Sequence, residues 1–430
     1  MTNRMQDTRR FVLEGVYGMY NYGCEAIVRG TAAILRRRWP SASLLYWSYR
    51  PWADRRALRG ADVVVKGRYW RPGISGLPCR AMGRLLRIVG HAVQLSDFAT
   101  TADCILSIGG DIFTLDPTQR ESSRFGAVGH AQRTLSMGRP VILWGASVGP
   151  FEGNQYAPEA FGEVLRRFAA ITVREPITHK YLARIGIREN VHSVADPAFV
   201  MPCAEESDSV ILRLRPARGQ RTLAVNLSPL SLQYTHEASP IEVVVDRQVH
   251  ALIKILATSD VDILLVPHVV CPWDPRDDDN AHLRTLFSKM PRHMASRVRL
   301  LPAGLGAQRT KRIISCCRAL IAARMHCAIA GISCSVPTLL LSYSHKAVGL
   351  CDYVYGHREL VMTVSAEADQ LAQAARGLLD GAETTRAFLN QRVPEIVADA
   401  LRAADVVEEV MTAPDKRGSE RSTIQARDTV

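Results

Sequence analysis

The feature that most constrains the fold of this chain is the alternation of short apolar runs with helical segments. It is most compact late in the sequence, where apolar runs at 319–322 and 336–341 flank a small-residue segment at 327–332. Strand, helix and strand in so few residues predict a βαβ unit with two parallel strands. The same alternation extends back to residue 11, so the sequence predicts an α/β fold with doubly wound parallel sheets.

Polar side chains follow both strands of this unit. Arg324 and His326 come after the first strand, and Ser342 and Lys346 come after the second. Because open α/β sheets bind ligands at the carboxyl ends of their strands, we expect these side chains to share one edge. Two fixed cations and an imidazole suit a small, highly charged anion. A buried core histidine and a helix-start arginine are the plainer interpretations, but the grouping favours a ligand site.

Glycine-rich turns follow three predicted strands in the first half of the chain, at 15–27, 109–111 and 145–150. Glycines at such positions let a ligand or another backbone segment come close. The spacing is not GxGxxG, so a dinucleotide site is not predicted. Tight strand-to-helix turns explain the same residues, yet carboxylates and amides there also suit sugar hydroxyls. The candidates in these turns are Asn21, Glu25, Gly110 and Asp111.

Two more basic residues follow predicted strands. Arg174 follows a strand at 170–173, where it could bind an anion or pair with a neighbouring carboxylate. His268 follows a strand at 262–266, where ligand contact and an ordinary loop position are equally good interpretations. The acidic run 274–279 lacks the spacing of a calcium loop. We interpret it as a solvated helix start, and we predict no metal and no cofactor.

The net charge of +12 comes from arginines spread along the 430 residues. A dispersed charge favours anionic substrates or an anionic membrane surface over nucleic acid, which calls for a dense basic patch. The amphipathic segment 80–98 could lie on such a membrane or be a crossover helix of the fold. No apolar run is long enough for a transmembrane helix. Ten cysteines without metal-type spacing fit a reducing cytoplasm.

The motifs at the predicted strand ends, taken in order, resemble those of the polysaccharide pyruvyl transferase family. The matching pieces are G-x-x-N-x-G-x-E-A-I (18–27), S-I-G-G-D (107–111), G-A-S-V-G-P (145–150), V-R-E (173–175), D-P-A-F (196–199), R-x-H (324–326) and V-P-x4-S-Y-x-x-K (336–346). Each piece is weak alone, whereas seven in the family's order are fairly specific. One departure is Cys24, where many members carry Asp, and Glu25 could take over the acidic role.

The resemblance implies two Rossmann-like domains that face each other across a cleft, as in GT-B glycosyltransferases. It also implies phosphoenolpyruvate as donor, a pyruvate ketal formed across two hydroxyls of a sugar, and release of phosphate. The acceptor would be a sugar of a polysaccharide, a glycolipid or a lipid-linked precursor. Catalytic roles fall on His326, Arg324, Lys346 and Arg174. We assign donor contacts to Arg324, Lys346, Arg174, His268 and Ser342, and acceptor contacts to Asn21, Glu25, Gly110 and Asp111.

A polar and charged stretch at 203–221 separates two series of strands and helices. We therefore predict an N-terminal acceptor-side domain over 1–205 and a C-terminal donor-side domain with closing helices over 206–412. A disordered tail is predicted over 413–430. The protein would act in the cytoplasm, in possible peripheral contact with an anionic membrane, and its oligomeric state is open.

Two other functions fit the same pattern. A GT-B glycosyltransferase that uses a nucleotide sugar would share the fold and the basic cleft, but it needs an acidic contact to the ribose. Glu359 is the residue that could supply this contact. A non-catalytic protein that binds a sugar or an anion on the same scaffold is the other alternative. Affinity for phosphoenolpyruvate over nucleotide sugars, and turnover to phosphate, distinguish the three.

Overall fold

The computed structural model describes residues 8–68, 92–115, 122–217, 221–229, 240–343 and 345–413. Within these ranges the chain alternates strands and helices along its whole length. The strands are β1 Arg10–Glu14, β2 Ser43–Ser48, β3 Val64–Arg68, β4 Ala92–Val93, β5 Cys104–Ile108, β6 Val141–Ala146, β7 Ala170–Val173, β8 Val191–Ser193, β9 Thr222–Asn226, β10 Asp262–Leu265, β11 Val298–Leu300, β12 Ala319–Ala322, β13 Thr338–Ser342 and β14 Val361–Thr363.

The helices lie on the faces and edges of two sheets. They are α1 Tyr22–Arg38, α2 Pro51–Ala57, α3 Phe98–Thr101, α4 Gly126–Leu135, α5 Ala157–Arg167, α6 Pro176–Arg184, α7 Ser209–Leu214, α8 Ile241–Thr258, α9 Asp279–Ser288, α10 Arg292–Ala295, α11 Ala307–Ser315, α12 Met325–Ile332, α13 His345–Tyr355, α14 Ala368–Asp380, α15 Ala382–Leu401 and α16 Ala403–Thr412. Short 3₁₀ turns occupy Leu95–Asp97 and Pro197–Val200.

Both sheets are parallel throughout, and both reverse their strand order near the middle. The first has the order β4-β3-β2-β1-β5-β6-β7-β8, and the second has the order β11-β10-β9-β12-β13-β14. The order therefore reverses between β1 and β5 in one sheet and between β9 and β12 in the other. Doubly wound sheets bind ligands outside the strand ends at such reversals. The predicted pair of Rossmann-like domains in a GT-B-like arrangement is confirmed.

The central strands are apolar because helices cover both of their faces. Every residue of β5 and of β12 is buried, as expected for strands inside a parallel sheet. Helix α12 is built of small residues because it packs directly on β12. A Cβ atom added at Gly331 would lie 2.6 Å from Cδ2 of Leu320. The small-residue segment that predicted this helix thus reflects close helix-to-strand packing.

The structure corrects two expectations about connecting segments. Residues 69–91 lie outside the described ranges, and the end of the predicted 80–98 helix forms strand β4, which pairs with β3. The stretch 203–221 is not a plain linker, because it contains helix α7. The carboxylate of Asp208 caps α7 and accepts a hydrogen bond of 2.8 Å from Nε of Arg309. This segment is thereby fixed to helix α11 of the second domain.

The C-terminal segment after α14 consists of two closing helices, α15 and α16. The chain turns at Arg402 between α15 and α16, and α16 packs its apolar residues into the core beneath the first sheet. The division at 205/206 stays a prediction, and the tail predicted from 413 lies almost entirely outside the described residues. Among the described helices, none combines the length and the apolar composition needed to cross a membrane.

Backbone hydrogen bonds join the two domains beside the strand ends. The N–H of Tyr22 donates to the carbonyl of His268, and the N–H of Val270 donates to the carbonyl of Tyr20, each at 3.0 Å. Between them, Asn21 and Val269 form an antiparallel bridge. These bonds bring the glycine-rich turn after β1 against the loop after β10, and so they form one rim of the space between the domains.

Candidate active site

A cavity of about 160 Å³ lies between the carboxyl ends of the two sheets. Side chains from both domains line it. From the first domain come Asn21 and Asp111; from the second come His268, Asp277, Arg324, His326, Tyr343 and Lys346. The cavity therefore sits at both strand-order reversals at once, and it collects most of the polar residues that the sequence predicted there.

Arg324 lies on the second-domain wall, immediately after β12, at the start of helix α12. Its Nε and Nη2 donate to Oδ1 of Asp279 at 3.1 and 2.8 Å, and Nη2 also donates to Oδ1 of Asp277 at 2.7 Å. Burial would lower the pKa of this guanidinium, but the two carboxylates outweigh burial and raise the pKa. Arg324 is thus a fixed cation at the cavity.

Asp279 is the group that holds this wall together. Besides Arg324, its carboxylate accepts hydrogen bonds from the backbone N–H groups of His268 and Val269 and from the side-chain amide of Asn226. Asp279 is fully buried, so the expectation of a solvated acidic helix start is wrong at this position. The physical reason is that a buried guanidinium needs a buried counter-charge.

Arg174 lies on the first-domain wall, just after β7, and it is buried. Its guanidinium donates to Oγ of Ser147 at 2.9 Å, to Oδ2 of Asp196 at 2.8 Å, and to the carbonyl of Gly110 and Oδ1 of Asp111 at 3.1 and 2.9 Å. Burial would lower its pKa, and the charges of Asp196 and Asp111 raise it. Four protein groups accept hydrogen bonds from this side chain, so most of its N–H groups are already used within the protein.

His326 joins the two walls. Its Nε2 lies 3.3 Å from Nη1 of Arg174 and 3.4 Å from Oδ2 of Asp196, both in the first domain. One nitrogen can accept from Arg174 when unprotonated or donate to Asp196 when protonated, but it cannot do both at once. Burial would raise the pKa of Asp196, but the charges of His326 and Arg174 outweigh it and lower the pKa to about 2.

Two glycines make these close approaches possible. A Cβ atom at Gly110 would lie 2.3 Å from Nη1 of Arg174, and one at Gly23 would lie 2.6 Å from Nδ1 of His326. Contacts this short do not occur between real atoms, so any side chain there displaces the guanidinium or the imidazole. The turns after β1 and β5 therefore carry glycine because a guanidinium and an imidazole of the protein itself come close there. From the sequence, a ligand or another backbone segment was the expected neighbour.

Lys346 lies in the first turn of helix α13, which the sequence analysis did not predict. Its Nζ is 2.8 Å from Oδ1 of Asp111. Desolvation would raise the pKa of Asp111, but the charges of Lys346 and Arg174 lower it well below its usual range. Arg324, Arg174 and Lys346 are thus each paired with carboxylates.

The remaining predicted site residues fall into two groups. His268 and Asn21 line the cavity. Burial, followed by the charges of His326 and Arg324, lowers the pKa of His268 well below its usual value, so this imidazole is neutral. Asn21 caps helix α1 by accepting from the N–H of Gly23 at 2.9 Å.

Glu25 and Ser342 lie outside the lining of the cavity. The buried carboxylate of Glu25 accepts from Nε of Arg29 at 2.7 Å and from the N–H of Ala307 at 2.8 Å, so it ties the first domain to the second. Ser342 ends β13. Glu359, the possible ribose contact, is 88% exposed and lines a different cavity, on the other side of the second domain's last strands.

Sequence reasoning missed four groups that hold the site. Asp277 and Asp279 were counted as solvent-facing, and Asp196 and Ser147 were seen only as parts of motifs. Their common signal is position, because Asp196 follows β8 and Ser147 follows β6 at the same sheet edge. Within the described ranges, no group of three or more His, Cys, Asp or Glu residues is arranged to hold a metal ion.

Several solved structures have the same architecture as this chain. UDP-GlcNAc 2-epimerase from Neisseria meningitidis, bound to UDP-GlcNAc, has a TM-score of 0.60 at 11% identity, covering 94% of this chain and 100% of that chain. Alr3699/HepE from Anabaena, in complex with UDP and glucose, has a TM-score of 0.56 at 15% identity, covering 93% and 100%. At these identities the likeness shows the fold alone.

The sequence comparisons are more specific. The amylovoran biosynthesis protein AmsJ of Erwinia amylovora is 22% identical over 339 residues, which cover 74% of this chain and 77% of that protein. The family described as polysaccharide pyruvyl transferase matches residues 21–345. That match covers most of the sequence and nearly all of the cavity lining, and the chain therefore belongs to the polysaccharide pyruvyl transferase family.

Proposed function

We propose that this protein transfers the pyruvyl group of phosphoenolpyruvate to two hydroxyls of a sugar in a polysaccharide or its precursor. The products would be a pyruvate ketal and inorganic phosphate. The observation that carries this proposal is the position of His326, whose imidazole meets Asp196 and Arg174 across the domain boundary in a cavity with two further cations. The cytoplasm, where thiols stay reduced, remains the proposed location.

The cations suit phosphoenolpyruvate because Lys346 can leave its carboxylate partner to bind an anion, whereas Arg324 stays fixed. Lys346 and Asp111 are 23% and 61% exposed, so this pair costs little to open, and a phosphate or carboxylate could replace Asp111 at Nζ. Arg324 is held through Nε and Nη2, and no hydrogen bond to its Nη1 is found in the described part of the chain. The Nη1 group of Arg324 can therefore donate a hydrogen bond to phosphoenolpyruvate. The neutral His268 could contact the donor without adding charge.

The chemistry needs a group that both takes and gives protons near neutral pH. One sugar hydroxyl would add to C2 of phosphoenolpyruvate while C3 gains a proton and becomes a methyl group. A second hydroxyl would then bond to C2 as the bond from C2 to the phosphate oxygen breaks. The proton from the first hydroxyl balances the one gained at C3, and the proton from the second leaves with phosphate.

His326 is the group that we propose to move these protons, because imidazole is the side chain that most often serves as general acid and base in enzymes. Asp196, which stays ionised, would stabilise the imidazolium when it forms. Arg174 would position both without touching the reacting atoms. On the acceptor side we propose Asn21 and Asp111, because both line the cavity from the first domain. Gly110 serves by admitting Arg174, and Glu25 serves by joining the domains.

The test is phosphate release from phosphoenolpyruvate in the presence of a panel of mono- and oligosaccharide acceptors. Replacing His326 by Ala should lower phosphate release by at least about 100-fold, the usual contribution of a general acid–base group. Thermal stabilisation by phosphoenolpyruvate should persist in this variant. A matched control is His293→Ala, which removes an exposed imidazole on helix α10 and should leave turnover unchanged. Near-normal turnover of His326→Ala would overturn the assignment.

The same panel separates the alternatives. Stabilisation by UDP-glucose but not by phosphoenolpyruvate would instead indicate a nucleotide-sugar transferase. Binding of phosphoenolpyruvate without phosphate release for any acceptor would indicate a non-catalytic protein. The exposed position of Glu359 supports neither the ribose contact nor the first of these alternatives.

A further inference from the structure

Aromatic rings and guanidinium groups line the carboxyl edge of the first sheet, beside the cavity. We call this set the aromatic–arginine strip. Its members are Tyr17, Tyr20, Tyr49, Arg50, Arg68 and Trp273.

The strip begins where β1, β2 and β3 end. The rings of Tyr17 and Tyr49 stack with centroids 5.9 Å apart and planes inclined by 24°. The guanidinium carbon of Arg68 lies 3.6 Å from the centroid of Tyr49, and its Nη1 donates to the Tyr49 hydroxyl at 2.8 Å. Although both tyrosines are stacked, they are 63% and 49% exposed. These rings are therefore held in place while about half or more of each side chain stays accessible to a ligand.

The second domain extends the strip. The guanidinium carbon of Arg50 lies 3.7 Å from the ring centroid of Trp273, and the rings of Trp273 and Tyr20 meet edge to face at 4.9 Å. Trp273 is 54% exposed. Tyr20 immediately precedes Asn21, which lines the cavity, so this end of the strip reaches the cavity rim.

Buried charges hold the other end in place. The carboxylate of Glu14, at the end of β1, lies 2.5 Å from Nε2 of His130 and 3.4 Å from Nη2 of Arg68. Glu14 is almost fully buried, and its two partners are mostly buried. Exposed rings on an ordinary solvent-facing surface would not require buried ion pairs beneath them. Fixed rings cost less entropy to use in binding than mobile ones.

The chemistry of the strip fits sugars. Pyranose rings present C–H groups on their faces and hydroxyls at their edges, which match aromatic faces and guanidinium donors respectively. Exposed aromatic side chains grouped in one place mark binding surfaces rather than ordinary exterior. The strip contains four rings, which is more than one sugar unit requires.

From these contacts we infer that the acceptor is a chain of several sugars, and that the units beyond the modified one lie on the aromatic–arginine strip. This inference rests on the proposed function only for the identity of the cavity as the reaction site. The strip is defined by its ring and guanidinium contacts alone, so oligosaccharide binding tests it without turnover.

The experiment measures the affinity of glucose- and galactose-based mono-, di-, tri- and tetrasaccharides for the full chain, without phosphoenolpyruvate, by calorimetry. We expect affinity to rise at least tenfold from mono- to tetrasaccharide for at least one series. Tyr49→Ala and Trp273→Ala should each remove most of that gain and leave monosaccharide affinity unchanged. Tyr156→Ala, which removes a similarly exposed tyrosine before helix α5, should keep the gain.

Equal affinity for mono- and tetrasaccharides in every series, or a full gain in both strip variants, would overturn the inference. With an active acceptor, the strip variants should raise KM for the long substrate and leave kcat within twofold. Oligosaccharide binding that depends on the strip, together with no phosphate release, would leave the strip standing and remove the proposed function. Phosphate release that does not depend on acceptor length would support the proposed function and remove the role of the strip.

Discussion

The carboxyl edge of the first sheet and that of the second handle charge differently, although the strand order reverses at the middle of both. On the second sheet, Arg324 is locked by the fully buried Asp279. On the first sheet, the turns carry glycines and exposed rings. The guanidinium of Arg174 packs directly against Gly110, where any side chain would collide with it. The second edge is a rigid ionic wall, whereas the first, which we call the open edge, combines the buried pair of Arg174 and Asp196 with exposed aromatic rings.

The comparison teaches that a shared fold does not determine what its two halves bind. A small, highly charged donor suits the rigid wall, whereas a sugar chain suits the open edge. The ion pairs of the site also differ in burial, because that of Arg324 with Asp279 is buried within the second domain, whereas that of Lys346 with Asp111, which joins the two domains, is partly exposed. The following substitutions test this difference, in order of decreasing expected effect.

The largest effect is expected from Asp279→Ala. Its carboxylate accepts five hydrogen bonds, two from Arg324 and three from His268, Val269 and Asn226. Removing it leaves a buried guanidinium without its main counter-charge, which costs about 3–5 kcal/mol. Urea unfolding should show this loss. Asp274→Ala, which breaks an exposed pair with Arg276, should cost no more than a small fraction of that loss. An equally small loss for Asp279→Ala would mean that the second edge is not a rigid ionic wall.

A smaller effect is expected from Gly110→Ala on the open edge. The added methyl would meet the guanidinium of Arg174 at 2.3 Å, so the arginine must move or the turn must shift. Overpacking of this kind costs about 1–3 kcal/mol. Turnover should fall further than the loss of folded protein alone would explain, because Arg174 also contacts Asp196 and His326.

The matched control is Gly377→Ala in helix α14. A Cβ atom there meets nothing within 4 Å, so thermal unfolding should show no loss and up to about 1 kcal/mol of gain. Equal behaviour of the two variants would show that Gly110 is not needed for the approach of Arg174.

The smallest effect on stability is expected from Lys346→Ala. Its pair with Asp111 is partly exposed, so the free energy of unfolding should change by at most about 1 kcal/mol. Affinity for phosphoenolpyruvate should nevertheless fall at least tenfold, since the lysine is a proposed phosphate contact. Lys289→Ala, which breaks a similar exposed pair with Asp246, should affect neither quantity. Unchanged donor affinity in Lys346→Ala would place the donor elsewhere.

The positions of Arg324, His326 and Arg174 could be predicted because each directly follows a buried apolar run. The strands of a parallel sheet all end at one edge, so the sequence order of strands was enough to bring these residues together. The partners could not be predicted in the same way. Asp277 and Asp279 look like an ordinary polar helix start, and only the packing of α9 against the second sheet turns Asp279 inward.

Where the sequence misled, a local pattern was overridden by contacts with distant residues. Glu25 sits in a motif that suits sugar binding, yet its carboxylate is used by Arg29 and by the N–H of Ala307, 282 positions away in sequence. The end of the 80–98 segment has a helical pattern, yet Ala92 and Val93 pair with β3 at the edge of the sheet. The intrinsic helix propensity of a segment contributes little free energy, so tertiary contacts outweigh it.

Helix α16 is the last described element, yet Ala404, Val406 and Val407 belong to the core beneath the first sheet. During synthesis the ribosome makes the whole second sheet before it makes the helix that completes the first. Because domains fold as units from the N-terminus while translation proceeds, the early half of this chain keeps an uncovered apolar face until α16 has been made. Chaperones that shield nascent chains would find their target there.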